Sequence, residues 1–109
     1  MSYKVVAIPP FDRQLKRLAK KFPSLKEEIG QLLSILQTNP QYGVCIGHEC
    51  YKVRLSISSK GKGKRAGGRI ITTFVVEEEV VYLLAIYDKS EKDDITDQEL
   101  LKLLNRIDQ

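Results

Sequence analysis

The stretch YKVRLSISSKGKGKRAGGRIITTFVV, Tyr51 to Val76, carries seven Lys or Arg residues, four Gly and no acidic side chain. At its start Tyr51, Val53, Leu55 and Ile57 alternate with Lys52, Arg54 and Ser56. Side chains of a strand point alternately to its two faces, so a strand here sends the apolar set inward and holds Lys52 and Arg54 together on the other face. A glycine-rich basic loop follows, and the β-branched and aromatic run from Arg69 to Val76 predicts a second strand. Glu77, Glu78 and Glu79 make a tight turn into a third, Val80 to Ile86. Three consecutive strands joined in this way form an antiparallel meander.

Working outward, Tyr3 to Ile8 reads as a short edge strand stopped by Pro9 and Pro10. From Phe11 the residues Leu15, Leu18, Ala19 and Phe22 recur at helical spacing, with Arg13, Lys16, Arg17, Lys20 and Lys21 on other faces. Pro23 ends this basic amphipathic helix. Ser24 and Glu27 then have the spacing of a capping box, ahead of the apolar stripe Leu25, Ile29, Leu32, Leu33 and Leu36. Thr38 to Gly43 is turn chemistry. At the far end Thr96 and Glu99 form a second capping box before Leu100, Leu103, Leu104 and Ile107. The expected architecture is a single α+β domain over residues 1–109, in the order β-α-α-β-β-β-α. Its twisted sheet is mostly antiparallel, with helices packed on one face. A chain of 109 residues with 42% apolar content suits one continuous core and no more.

Charge is unevenly spread. The formal net charge is +4, yet residues 51–76 alone contribute +7 and the remainder sums to −3. A local excess of this kind suits a polyanionic partner, and also suits a solubilising basic hairpin. Residues 77–109 hold ten acids against four bases, a solvated helix face or a partner surface. No apolar run reaches the length of a membrane span and the first residues lack the order of a secretory signal, so a cytoplasmic protein is expected. Cys45, His48 and Cys50 are too few to close a zinc site unaided, and neither a metal nor another cofactor is expected. Gly61 to Ala66 satisfies a loose G-x-G-x-x-[GA] pattern, but a dinucleotide cradle must lead into a helix, whereas a β-rich run follows here. A Gly-Lys-Ser or Gly-Lys-Thr phosphate loop does not occur. The pair Gly67-Gly68 lets the backbone turn sharply and approach a ligand closely.

The run KVRLSISSKGKGKRAGGRII and, after a gap, YLLAIYDKSEKDDIT resemble the RelE/ParE superfamily of bacterial toxins, most closely its HigB-like branch. The shared features are a cationic strand, a Gly-rich basic loop, Gly-Gly-Arg opening the next strand, and Ile-Tyr-x-Lys closing the last. The resemblance implies the toxin of a type II toxin-antitoxin system, a ribosome-dependent endoribonuclease that cuts messenger RNA in the A site. Its implied partners are the ribosome, messenger RNA and a cognate antitoxin of helix-turn-helix type. The ParE side of the superfamily shares the fold but inhibits DNA gyrase by binding, and that reading stays open beside a plain nucleic-acid-binding module.

Metal-independent RNA cleavage needs a group to take the 2′-OH proton, cations to hold the phosphate and an acid for the departing 5′-oxygen. Arg69 matches the family's arginine at the strand start, where a guanidinium grips the phosphate through two hydrogen bonds. Arg54 adds positive charge, and Lys52 is a candidate base if neighbouring cations favour its neutral form. His48, the only histidine, precedes the strand and is a weaker candidate. RelE-like members use an arginine just after a lysine and a tyrosine in the C-terminal region. Here Ser90 follows Lys89 and the tyrosine position falls near Thr96, so those two roles do not carry over. Tyr87, with Lys89 two residues on, is the available substitute. Lys60, Lys62, Lys64 and Arg65 are expected to contact ribosomal RNA phosphates.

Overall fold

Pro9 and Pro10 occupy the first turn of a helix, where a missing N–H costs nothing and a fixed φ is already helical. They therefore end strand β1 (Lys4–Ala7) and start α1 (Pro9–Lys21) in one step. The computed structural model describes residues 2–60 and 67–107. After α1 come α2 (Leu25–Thr38), β2 (Val44–Gly47), β3 (Cys50–Leu55), a 3₁₀ turn at Ser58–Lys60, β4 (Gly68–Val75), β5 (Val80–Asp88) and α3 (Asp97–Asn105). The strands form one open sheet in the order β1-β5-β4-β3-β2. Strands β2 to β5 are antiparallel neighbours, and β1 lies parallel to β5 at the edge. The expected meander and edge strand are both present.

Strand alternation sorts the core into two layers. On one face Phe11, Leu18 and Phe22 of α1 and Leu25, Ile29, Leu32 and Leu36 of α2 pack against Val53, Leu55, Ile70, Leu83 and Ile86. On the other face Leu100 of α3 packs with Cys50, Ile71, Leu84 and Tyr87. Thus α1 and α2 share a face as expected, but α3 covers the opposite one. A nine-residue helix with Leu100 as its buried residue covers only part of that face.

Two local features differ from the sequence reading. Strand β2 is additional, joined to β3 by a two-residue turn in which His48 (φ 53°) and Glu49 (φ 60°) are both left-handed. Such a turn is ordinarily signalled by Asn-Gly or Asp-Gly, and His-Glu carries no such signal. Ser24 does not cap α2: its backbone is already helical (φ −75°, ψ −12°) and its hydroxyl makes no capping bond. Instead it donates to Glu28 Oε1 at 3.1 Å and contacts the Ser59 hydroxyl at 2.8 Å, while Glu28 Oε2 accepts from the Ser58 N–H at 2.7 Å. These bonds tie α2 to the 3₁₀ turn. The Thr96–Glu99 box forms in full at the start of α3.

The basic-loop reading puts Lys60 at a phosphate-facing tip, but in the structure its side chain is only 8% exposed and ion-paired with Asp88. Lys60 also lies over the Phe22 ring, 5.5 Å from its centroid. It pins the segment after β3 to the end of β5. Lys62, Lys64 and Arg65 lie outside the described residues. Gly67 approaches not a ligand but the neighbouring strand, because a Cβ there would stand 2.1 Å from the Leu55 carbonyl oxygen.

Burial acts to raise the Asp88 pKa, but bonds from Lys60 and Ser90 outweigh it and hold the carboxyl below its ordinary value. A carboxyl depressed in the folded state stabilises fully above its unfolded pKa, and this contribution is lost as pH falls through the folded value. Removing one member of a buried pair typically costs about 3–5 kcal/mol. Asp88→Ala is accordingly expected to lower the stability measured by urea unfolding at neutral pH by about that amount. The gap from the parent protein should shrink below about pH 4, and equal unfolding midpoints at pH 7 would contradict the role given to this pair.

Candidate nucleic-acid interface

Register places three of the expected site residues in one row across the sheet. Arg54 of β3 stands opposite Arg69 of β4, which stands opposite Tyr87 of β5. All three alternate with residues of the α1–α2 core, namely Leu55, Ile70 and Ile86, so they share the α3 face. Lys52, two residues before Arg54 on the same strand, joins them on that face. Directly opposite like charges oppose sheet formation, and an anion between the two guanidinium groups would relieve that repulsion. Arg69 is the more enclosed, at 5% exposure, and its Nη1 donates to the Gly68 carbonyl at 2.9 Å. Arg54 is exposed.

Tyr87 closes the row. It is 6% exposed, and among the described residues its hydroxyl makes no hydrogen bond of full geometry, the Asp94 carboxylate being the acceptor that comes nearest to one. Burial first, and then the Asp94 carboxylate, push its pKa up to about 12, with Arg69 acting the other way. The phenol therefore remains protonated throughout the physiological range, as a proton donor must.

Sequence reasoning missed Asp94, which meets Lys52 Nζ at 3.3 Å and acts electrostatically on Tyr87. The Ile95 backbone N–H, followed by Lys52, outweighs burial and lowers the Asp94 pKa. Nothing in the acidic run of residues 91–99 distinguishes this carboxylate, because its role arises from the fold of the loop between β5 and α3. Lys89 does not join the row: its Nζ bonds the Asp93 carbonyl at 2.6 Å and carboxylate at 2.7 Å, folded back onto its own turn. His48 lies at the β2–β3 turn, where its Nε2 is 3.9 Å from Asp97. That turn flanks Cys50, at the end of β3 opposite the Arg54 row.

A small α+β domain with an open mixed sheet, two helices on one face and a cationic row on the other defines the class: this is the RelE fold. A double-arginine mutant of the E. coli toxin RelE in the free state matches it with a TM-score of 0.64 at 15% identity, over 98% of this chain and 99% of that one. The intact E. coli RelBE toxin-antitoxin complex matches at 0.61 and 17% identity, over 80% of this chain and 96% of that one. The RelE mutant bound to an antitoxin RelB peptide matches at 0.58 and 20%, over 89% and 98%. No family model matches the chain.

A buried hydroxyl without a hydrogen bond of full geometry adds little to stability and carries a desolvation cost. Tyr87→Phe is therefore expected to leave the melting temperature unchanged or slightly raised. A marked fall in thermal unfolding would show that the hydroxyl is bonded in solution.

Proposed function

We propose that this chain is the toxin of a type II toxin-antitoxin system and cleaves messenger RNA in the ribosomal A site, under the control of a cognate antitoxin. The observation that carries this reading is the cross-strand row Arg54–Arg69–Tyr87, joined by Lys52, on the RelE fold. The likeness to RelE extends through the whole fold, and two of the matching structures contain antitoxin. The resemblance at Gly67-Gly68-Arg69 and Ile86-Tyr87 bears on the same face. An antitoxin of helix-turn-helix type would accompany the HigB-like branch. Ribosomes place the activity in the cytoplasm, and among the described residues no helix is long and apolar enough to cross a membrane.

In this mechanism Arg69 and Arg54 hold the non-bridging oxygens of the scissile phosphate. The 2′-oxygen attacks phosphorus, the bond to the 5′-oxygen breaks, and a 2′,3′-cyclic phosphate forms. Tyr87 gives its proton to the departing 5′-oxygen, a role consistent with a phenol held neutral by burial. Lys52 takes the proton of the 2′-hydroxyl as a neutral amine, so it has first to leave Asp94, 3.3 Å away, and give its ammonium proton to water. Lys89 contributes positive charge beside the row once it leaves Asp93. Lys62, Lys64 and Arg65 supply phosphate contacts that position the protein without reading sequence. The chemistry calls on no cofactor.

Arg69→Lys keeps the charge and loses the two-pronged grip. It is expected to reduce ribosome-dependent cuts, mapped as messenger 5′ ends in a reconstituted translation reaction, by about 100-fold or more. Cutting at the parental rate would remove Arg69 from the mechanism, and an intact messenger with the parent protein would favour a binding-only toxin. Neutralising Lys62, Lys64 and Arg65 together should weaken co-sedimentation with ribosomes and flatten its salt dependence. An unaltered salt profile would exclude these side chains from ribosome binding.

A further inference from the structure

Beside Tyr87, and outside the arginine row, a groove of about 500 Å³ runs between α1 and α3 over the end of β5. It exists because β1 pairs with β5 only as far as Leu83, so Ala85 to Tyr87 have no strand on that side. Its floor is apolar, including Ala85, Ile95 and Leu103, and the side of Tyr87 forms the end that meets the row. Its rim is cationic. Arg17 and Lys92 are there, but each is already ion-paired, with Glu91 and Glu99 respectively. Arg13, Lys102 and Arg106 also line the groove, and among the described residues none of these three has an acidic partner within 4.0 Å. Among the described residues, the acids lining the groove, Glu91 and Glu99, are thus engaged with other cations.

We infer that this groove is a second RNA subsite, which takes a nucleotide flanking the scissile phosphate, its base on the apolar floor and its phosphate at Arg13, Lys102 and Arg106. Three features select this occupant. Three cations without an acidic partner among the described residues call for an anion, the apolar floor calls for a flat weakly polar body, and a single-stranded nucleotide offers both. The groove is continuous, through Tyr87, with the row proposed to hold the phosphate that is cut. Its volume is in the range of pockets that enclose one small ligand, which suits one nucleotide of a strand already held at the arginines. Arg13 lies on α1 and Lys102 on α3, with Arg106 at the C-terminal cap of α3, so the subsite is a product of the fold and not of a local basic run.

The inference rests on the nuclease reading only in taking RNA as the occupant, and its test is binding without cleavage. A fluorescent single-stranded RNA of about ten nucleotides, fully 2′-O-methylated so that it cannot be cut, is titrated with protein at several salt concentrations. The variant Arg13→Ala/Lys102→Ala/Arg106→Ala is expected to bind at least about tenfold more weakly, with the slope of log K against log salt reduced by about 2. A control of equal charge change on exposed positions elsewhere, Lys16→Ala/Lys20→Ala/Lys26→Ala, should change affinity much less. Ala85→Leu, which narrows the floor without altering charge, should also weaken binding. Equal losses in both triple variants, or no binding by the parent protein, would overturn the subsite. So would unchanged RNA binding by the groove variant together with lost binding of a synthetic Glu-Leu amphipathic helix, which would make the groove a protein-docking surface. Arg69-dependent cleavage with groove-indifferent binding would sink the subsite alone, whereas groove-dependent binding without any cleavage would sink the nuclease reading alone.

Discussion

Strand β4 is the constraint on which the rest of the structure depends, because it is the strand that fixes the register of both its neighbours across the site. Its antiparallel ladders to β3 and β5 put Arg69 directly between Arg54 and Tyr87. A slip of one residue would carry Arg69 into the apolar layer beneath α1 and α2, so the burial of Ile70 and Ile71 on opposite faces protects the placement of the arginine. Gly67 secures the entry to this strand. Its α-carbon lies so near the Leu55 carbonyl that no side chain fits, and its own carbonyl accepts the Lys89 N–H at 3.0 Å. The same glycine therefore locks β3, β4 and the end of β5 together at the edge of the cationic row.

The electrostatics are divided between structural and available charge. Lys60 and Asp88 are enclosed in one ion pair between the α1–α2 layer and the sheet, where they stabilise the fold. On the other face the acids of the segment after β5 reach back to cations, Asp93 to Lys89 and Asp94 to Lys52. These contacts are exposed on the acid side, at 94% and 61%, so solvent weakens them and a phosphate can replace them at modest cost. Arg54 and Arg69 stand opposite one another across the sheet. Two positive charges thus meet at the middle of the row, where a bound anion would touch both.

How much of this was legible depended on whether the information was local. The alternation around Val53, the run from Arg69 and the stripe from Leu100 each report which face is apolar, and β3, β4, β5 and α3 were readable for that reason. The grouping of Lys52, Arg54, Arg69 and Tyr87 was partly readable, since parity fixes the face within each strand and the antiparallel order limits the register. Other features depend on contacts distant in sequence. Lys60 belongs by composition to the basic loop, but Asp88, 28 positions later, withdraws it from the surface. Ser24 has the spacing of a cap, yet Ser59 and Glu28 claim its hydroxyl. The placement of α3 on the second face follows from the path of residues 89–96, which has no periodic pattern to read.

The row also departs from what stability alone would select. Two arginines stand directly opposite each other, the inner one is nearly enclosed, and the adjacent phenol buries a hydroxyl without a hydrogen bond of full geometry among the described residues. Each feature opposes folding, and a hydrophobic or charge-alternating row at the same positions would serve the sheet better. The surrounding packing tolerates them because Ile70, Ile71, Leu84 and Ile86 anchor the same strands from within. Local rules are broken here together, within three strands and on one face, and the capping and core patterns elsewhere are largely obeyed. Concentrated violation of this kind is what the proposed site would require, and the charge of the row suits an anion there.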